Sequence, residues 1–134
     1  MAYGKIKVDT LTYDSSGDVD VDVATLAQAI IPANARTAAY TLVAGDAGKV
    51  VSNTTGGWTI PASVFTTTGQ TVTLLNKSGS AQNITASALT YLYNVADGAN
   101  IKASTIALAA RAMATIWFDG ADTGYIQATK MTVS

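Results

Sequence analysis

Hydrophobic and polar residues alternate with period two along much of this chain, the period of a half-buried β-strand. At the start, Ile6, Val8, Thr10 and Thr12 fall on one side and Lys5, Lys7 and Asp9 on the other. Ser15-Ser16-Gly17 reads as a turn. Val19, Val21 and Val23 then alternate with Asp18, Asp20 and Asp22. Residues 1–23 are therefore expected to form an N-terminal β-hairpin. Residues 24–39 break the pattern. Ala24 to Ile31 is Ala-rich, and Asp22 can cap a short helix that Pro32 ends. A buried connector fits the same residues equally well, and residues 32–39 read as a linker.

From residue 40 the chain becomes a succession of short strand candidates: 40–43, 49–53, 57–60, 71–76, 81–85, 104–108, 113–119 and 124–129. Turn signals separate them: Gly45-Asp46, Thr55-Gly56-Gly57, Gly69, Ser78-Gly79-Ser80, Asp97-Gly98 and Asp119-Gly120. Residues 103–116 contain enough alanine for a helix. The separate alternations of Ile106/Leu108 and Met113/Thr115/Trp117, broken at Ala109-Ala110, favour two strands. The expected architecture is all-β. A hairpin arm and connector at residues 1–39 precede a β-sandwich or jelly-roll-like body at residues 40–134.

Composition sharpens this picture. The chain has 134 residues, enough for one body with a real core. Hydrophobic residues make up 49% and charged residues only 13%, about half the usual share. The surface must then be covered mainly by Thr, Ser, Asn, Ala and Gly, which suits a surface that lies against neighbours. The net charge of −1 gives no overall attraction to nucleic acid or to an anionic membrane. The first residues lack a signal-peptide core, and no apolar run approaches the roughly 18 residues of a membrane span. Cysteine, histidine and glutamate are all absent. Losing Glu, a good helix former, favours strands. Losing His removes the usual general base and the commonest metal ligand.

Several strings are similar to a β module found in bacteriophage virion proteins. Tyr40-Thr41-Leu42 with Asp46-Ala47-Gly48-Lys49 resembles that module's opening, and Thr59-Ile60-Pro61-Ala62 its next step. Phe65 with Gly69 to Asn76, then Asn83-Ile84-Thr85-Ala86, then Leu108 to Trp117, follow in the module's order. The opening Met1-Ala2-Tyr3-Gly4-Lys5-Ile6-Lys7 also resembles the start of structural proteins from phages of cyanobacteria. The resemblance covers roughly residues 40–128 and implies a virion component. Such modules occur in capsid decoration (cement) proteins and in tail-fibre tips. The first implies binding to the major capsid protein on the outer capsid surface, with the subunit itself trimeric. The second implies recognition of a host surface glycan.

The candidate contact residues are Tyr3, Lys5, Lys7, Asp18, Asp20, Asp22, Trp58, Tyr91 and Tyr93. An arm with unpaired strand edges can add to another sheet, which places the first six at a partner. Asp18, Asp20 and Asp22, two apart on one strand face, offer oxygen ligands to a cation such as Ca²⁺. They lack the glycine and glutamate of an EF-hand loop, and a solvated or partner-facing acidic strip explains them as well. No cofactor is implied. Trp58 beside Gly56-Gly57, and the Tyr91/Tyr93 pair, are large rings of the kind enriched at contacts, although most rings in a small body are core. Asp46-Ala47-Gly48-Lys49 lacks phosphate-loop spacing and reads as a turn with a left-handed glycine. Gly56-Gly57 reads as a hairpin turn. No nucleophile–base pair or paired carboxylate motif supports catalysis, so the expectation is a non-enzyme.

Overall fold

A computed structural model describes residues 10–13, 19–22 and 31–134, the first two segments as backbone only. The chain divides into two units, Met1–Ile31 and Pro32–Ser134. In the first, β1 (Thr10–Tyr13) pairs antiparallel with β2 (Val19–Asp22), Thr10 opposite Asp22 and Tyr13 opposite Val19. This is the hairpin its alternation predicts. The turn at Ser15-Ser16-Gly17 and the Ala-rich segment 24–30 lie outside the described residues.

The second unit is a two-sheet sandwich. Its strands are β3 (Ala33–Arg36), β4 (Tyr40–Thr41), β5 (Val50–Asn53), β6 (Trp58–Thr59), β7 (Thr71–Asn76), β8 (Gln82–Thr85) and β9 (Tyr91–Asn94). They continue as β10 (Ile106–Leu108), β11 (Met113–Phe118), β12 (Thr123–Ala128) and β13 (Met131–Val133). One sheet has the order β3-β5-β7-β11-β12-β9 and the other β13-β10-β8-β6-β4. Alternation assigns the faces. Val72 and Leu74 of β7, Ala114, Ile116 and Phe118 of β11, and Ile126 of β12 point inward from the six-stranded sheet. Trp58, Ile84, Ile106 and Leu108 meet them from the five-stranded sheet in one continuous core. Phe65 stacks on Phe118 inside it, ring centroids 4.4 Å apart.

The winding departs from a jelly roll, which is built of antiparallel strands. From β3 to β8 the chain alternates between the two sheets. The neighbours β3–β5, β5–β7, β4–β6 and β6–β8 all pair parallel. Parallel neighbours need a crossover, commonly a helix. Here the crossover is a strand of the opposite sheet, so the chain coils around its own core. Of the later strands β9 pairs parallel with β12, and the others close the body antiparallel, through β7–β11, β11–β12, β8–β10 and β10–β13. Residues 33–36, expected as linker, form β3. Few large side chains mark this strand, but its register with β5 is fixed from Ala33 opposite Val50 to Arg36 opposite Asn53.

Buried amides make the turns of this coil. Asn53 ends β5 and Asn76, its register partner, ends β7. The Asn53 amide donates to the carbonyls of Ala38 and Gly57, each at 2.9 Å, and its Oδ1 accepts from the Thr55 N–H. Asn76 donates to the carbonyls of Ser80, Leu108 and Ala109 and accepts from Ser78 and from Gln82 Nε2. Gln82 in turn accepts the Gly57 N–H at 3.0 Å. Backbone groups that change sheets lose their ladder partners, and these side chains replace them. Gly56 and Gly57 lie in the first of these turns at φ +90° and +71°. They carry β5 of one sheet to β6 of the other, and are not a hairpin turn. The 44–48 turn fits expectation: a short 3₁₀ turn, Ala44–Asp46, followed by Gly48 at φ +77°. Asp46 is buried there and accepts from Asn34, Tyr40 and the Val43 N–H.

Candidate interaction face

A strand sends alternate side chains to opposite faces, so the same register that builds the core also fixes the outer surface. Across the six-stranded sheet the outward residues fall into rows. One row is Tyr93, Tyr125, Trp117 and Thr71. The next is Gln127, Thr115, Thr73, Val50 and Ala33. A third joins Met113, Leu75 and Ala35, with Ser52 buried between the last two, while Tyr91 and Thr123 pair on the other side of the first. None of these residues is charged. Charged residues stand at the strand ends: Lys49, Asp119 and Asp122 at one, Arg36, Lys77, Arg111 and Lys130 at the other.

Four rings form a continuous ridge on this face. Tyr91 stacks on Tyr93 at 5.6 Å between centroids, and Tyr93 on Tyr125 at 5.4 Å. Trp117 tilts against Tyr125 at 5.8 Å and 54°. Cross-strand aromatic pairs of this spacing stabilise a sheet and hold their rings rigid. Tyr91 remains 44% exposed, Trp117 39% and Met113 41%. Beside the ridge runs a floor of smaller side chains, where Thr73 and Thr115 bond hydroxyl to hydroxyl at 3.1 Å. One depression of about 400 Å³ is lined by Tyr93, Asn94, Val95, Gly98 and Tyr125, and another of about 240 Å³ by Met113, Thr115 and Gln127 with Ala128 and Thr129.

The opposite outer face differs. There Thr41, Thr59, Thr85, Asn83, Ala107 and Thr132 face outward, and no large apolar side chain is among them. Small hydroxyl and amide groups of this kind are satisfied by water. An open sheet face normally alternates to polar residues outside. The five-stranded sheet obeys this rule, and the six-stranded sheet breaks it.

The residues singled out from sequence divide accordingly. Tyr91 and Tyr93 are on the ridge. Trp58 is not a surface ring: it is 2% exposed, in the core, and its Nε1 finds no acceptor among the described residues. Its strand β6 runs between β4 and β8 with Trp58 on the inward side, which overrides its position beside a Gly-Gly turn. Tyr3, Lys5, Lys7 and Asp18 lie outside the described residues. Asp20 and Asp22 lie on β2 opposite Thr12 and Thr10, described as backbone only. Among the described residues no three acidic side chains gather as a metal site. Sequence reasoning left Trp117 and Tyr125 out of the contact set. The alternation through 113–118 held the signal, since Ile116 and Phe118 claim the core and send Trp117 outward.

Comparison with known protein families, with curated proteins and with solved structures finds no match to this chain.

Proposed function

We propose that this protein is a structural component of a bacteriophage particle, a capsid decoration protein that binds the outer shell and stabilises it through protein–protein contacts. The observation that carries this reading is the six-stranded face: wide, uncharged, and crowned by four stacked rings. Charge depletion with aromatic enrichment is the composition of an interface centre, and the charged strand ends supply the polar rim. The ordered resemblance to phage virion modules supports a virion setting. In this reading the N-terminal hairpin reaches the major capsid protein and the body meets other copies, as a trimer. Binding that occurs only on the assembled shell adds its free energy to the shell by mass action. The protein acts without catalysis, cofactor, nucleic acid or membrane.

The test is stoichiometry in purified particles. Decoration requires a copy number comparable to that of the major capsid protein, and deletion of residues 1–23 should abolish shell binding while the body stays folded. A copy number matching the tail would overturn the assignment. A second reading, a tail-fibre or receptor-binding component, draws on one feature, the depression flanked by Tyr93 and Tyr125. Rings at the wall of a depression suit a host surface glycan, and glycan binding by the isolated protein would favour that reading.

A further inference from the structure

We infer that the outer face of the six-stranded sheet is where copies of this chain bury themselves against one another. The inference rests on the self-association in the reading above, not on a place in the virion. Three observations select a second copy as the occupant.

The first is charge. A face without a charged side chain offers nothing to an acidic or basic partner, and desolvating a partner's charge against it is costly. Another uncharged face is its complement, and this one is available on every copy. The second is hydrogen bonding. Thr73 and Thr115 share one hydroxyl–hydroxyl bond, so covering that pair leaves one fewer polar donor to be matched by a partner. The third is extent. Six strands at the usual spacing and about five residues of each give a patch of roughly 500 Å² in projection, which matches the roughly 500 Å² per partner at which specific interfaces begin. The ridge also lies to one side of the floor. A rotated copy can therefore lay Trp117 and Tyr125 into the shallow strip of Thr115, Gln127 and Met113.

The ring geometry argues against a sugar as the main occupant. Sugars stack on ring faces, and Tyr93 is in stacking contact with both Tyr91 and Tyr125, which leaves less of its ring free for a sugar.

The test is light scattering coupled to size exclusion over a dilution series, on the full chain and on three variants. Thr115→Arg places a charge on the floor, Trp117→Lys removes the end of the ridge, and Thr85→Lys marks the opposite sheet. The wild type and Thr85→Lys should run as the same oligomer. Thr115→Arg and Trp117→Lys should run as folded monomers, with association weakened roughly 100-fold or more, the scale of burying an unpaired charge. Acrylamide quenching of tryptophan gives an independent signal. Trp117 is covered only in the oligomer, so quenching should rise on dilution, while Trp58 stays buried throughout. A monomeric wild type, or a Thr115→Arg protein that keeps its cooperative melt and its oligomeric mass, would overturn the inference. Oligosaccharide binding by a monomeric wild type would assign the face to sugar instead. A dimeric mass keeps the face and corrects the trimer. Failure of the intact oligomer to coat shells overturns decoration and leaves the face standing.

Discussion

The backbone N–H of Ser63 donates to the Asp122 carboxylate, and both residues hold left-handed backbone, at φ 58° and 55°. The carbonyl of Asp122 also accepts the N–H groups of Thr90 and Tyr91, at 2.9 and 3.2 Å. One strained residue thus ties the 61–65 loop and the start of β9 to the β11–β12 turn. Asp tolerates left-handed backbone better than most side chains. Asp122→Ala should cost about 2 kcal/mol, the scale of a lost charged acceptor, with the strain kept. Asp122→Asn keeps an acceptor and should cost less than half of that. Equal melting temperatures for the two variants would remove the carboxylate from this role.

Gly57 and Gly69 separate two reasons for a glycine. Both have positive φ, at +71° and +94°. A Cβ on Gly57 would stand 2.2 Å from the Asn83 carbonyl oxygen, and that backbone cannot retreat without disturbing β8. A Cβ on Gly69 meets open space. Gly69→Ala should cost about 1 kcal/mol from backbone strain alone. Gly57→Ala should cost about 3 kcal/mol or more, since steric overlap adds to the strain. Chemical denaturation of both variants provides the comparison, and similar midpoints would refute the close approach.

Asn76 holds the turn from β7 to β8 and reaches the end of β10. Asn76→Ala leaves buried carbonyls of Leu108 and Ala109 without that donor, which should destabilise the body by about 3 kcal/mol or more. Asn76→Asp fits the space but turns an acceptor toward three carbonyl oxygens, so it should be no better than alanine. If Asn76→Asp unfolds at the wild-type denaturant concentration, the donor bonds contribute little.

Trp58 carries a buried N–H without an acceptor among the described residues, a group that costs about 1–3 kcal/mol to leave unpaired. Trp58→Phe removes that penalty while losing ring volume. The two effects oppose, and a net change below about 1.5 kcal/mol is expected, against 3–5 kcal/mol for Trp58→Ala. A loss from Trp58→Phe as large as that from Trp58→Ala would mean that packing alone governs the site.

Much of the sandwich was legible because period two is a local signal. The strand at 71–76, the break at Ala109-Ala110 and the hairpin at Thr10–Asp22 all follow from neighbouring residues. Strands β3, β9 and β13 carry little of this local signal. Ala33–Arg36 has no large alternation, and Tyr91–Asn94 carries its rings on the outer face, so it resembles an exposed segment. Beside a Gly-Gly pair Trp58 reads as a surface ring, since such a pair usually marks a surface hairpin, whereas this pair crosses between sheets. The interaction face itself depends on which strands become neighbours. Tyr93 and Tyr125 are joined by a parallel pairing that no local pattern encodes.

The coil from β3 to β8 also sets an order of events during folding. Each of its strands waits for a parallel partner more than fifteen residues away along the chain, whereas β11 and β12 meet across one tight turn. Long-range pairings pay loop-closure entropy before any contact rewards them, so the hairpin is expected to form first and serve as the template on which β7, then β5 and β3, are laid down. On a ribosome this runs against the direction of synthesis. The half made first must stay unpaired until the half made last emerges. Pulsed amide exchange during refolding should therefore protect Ile116 and Ile126 before Val51, and the reverse order would place the nucleus in the coil.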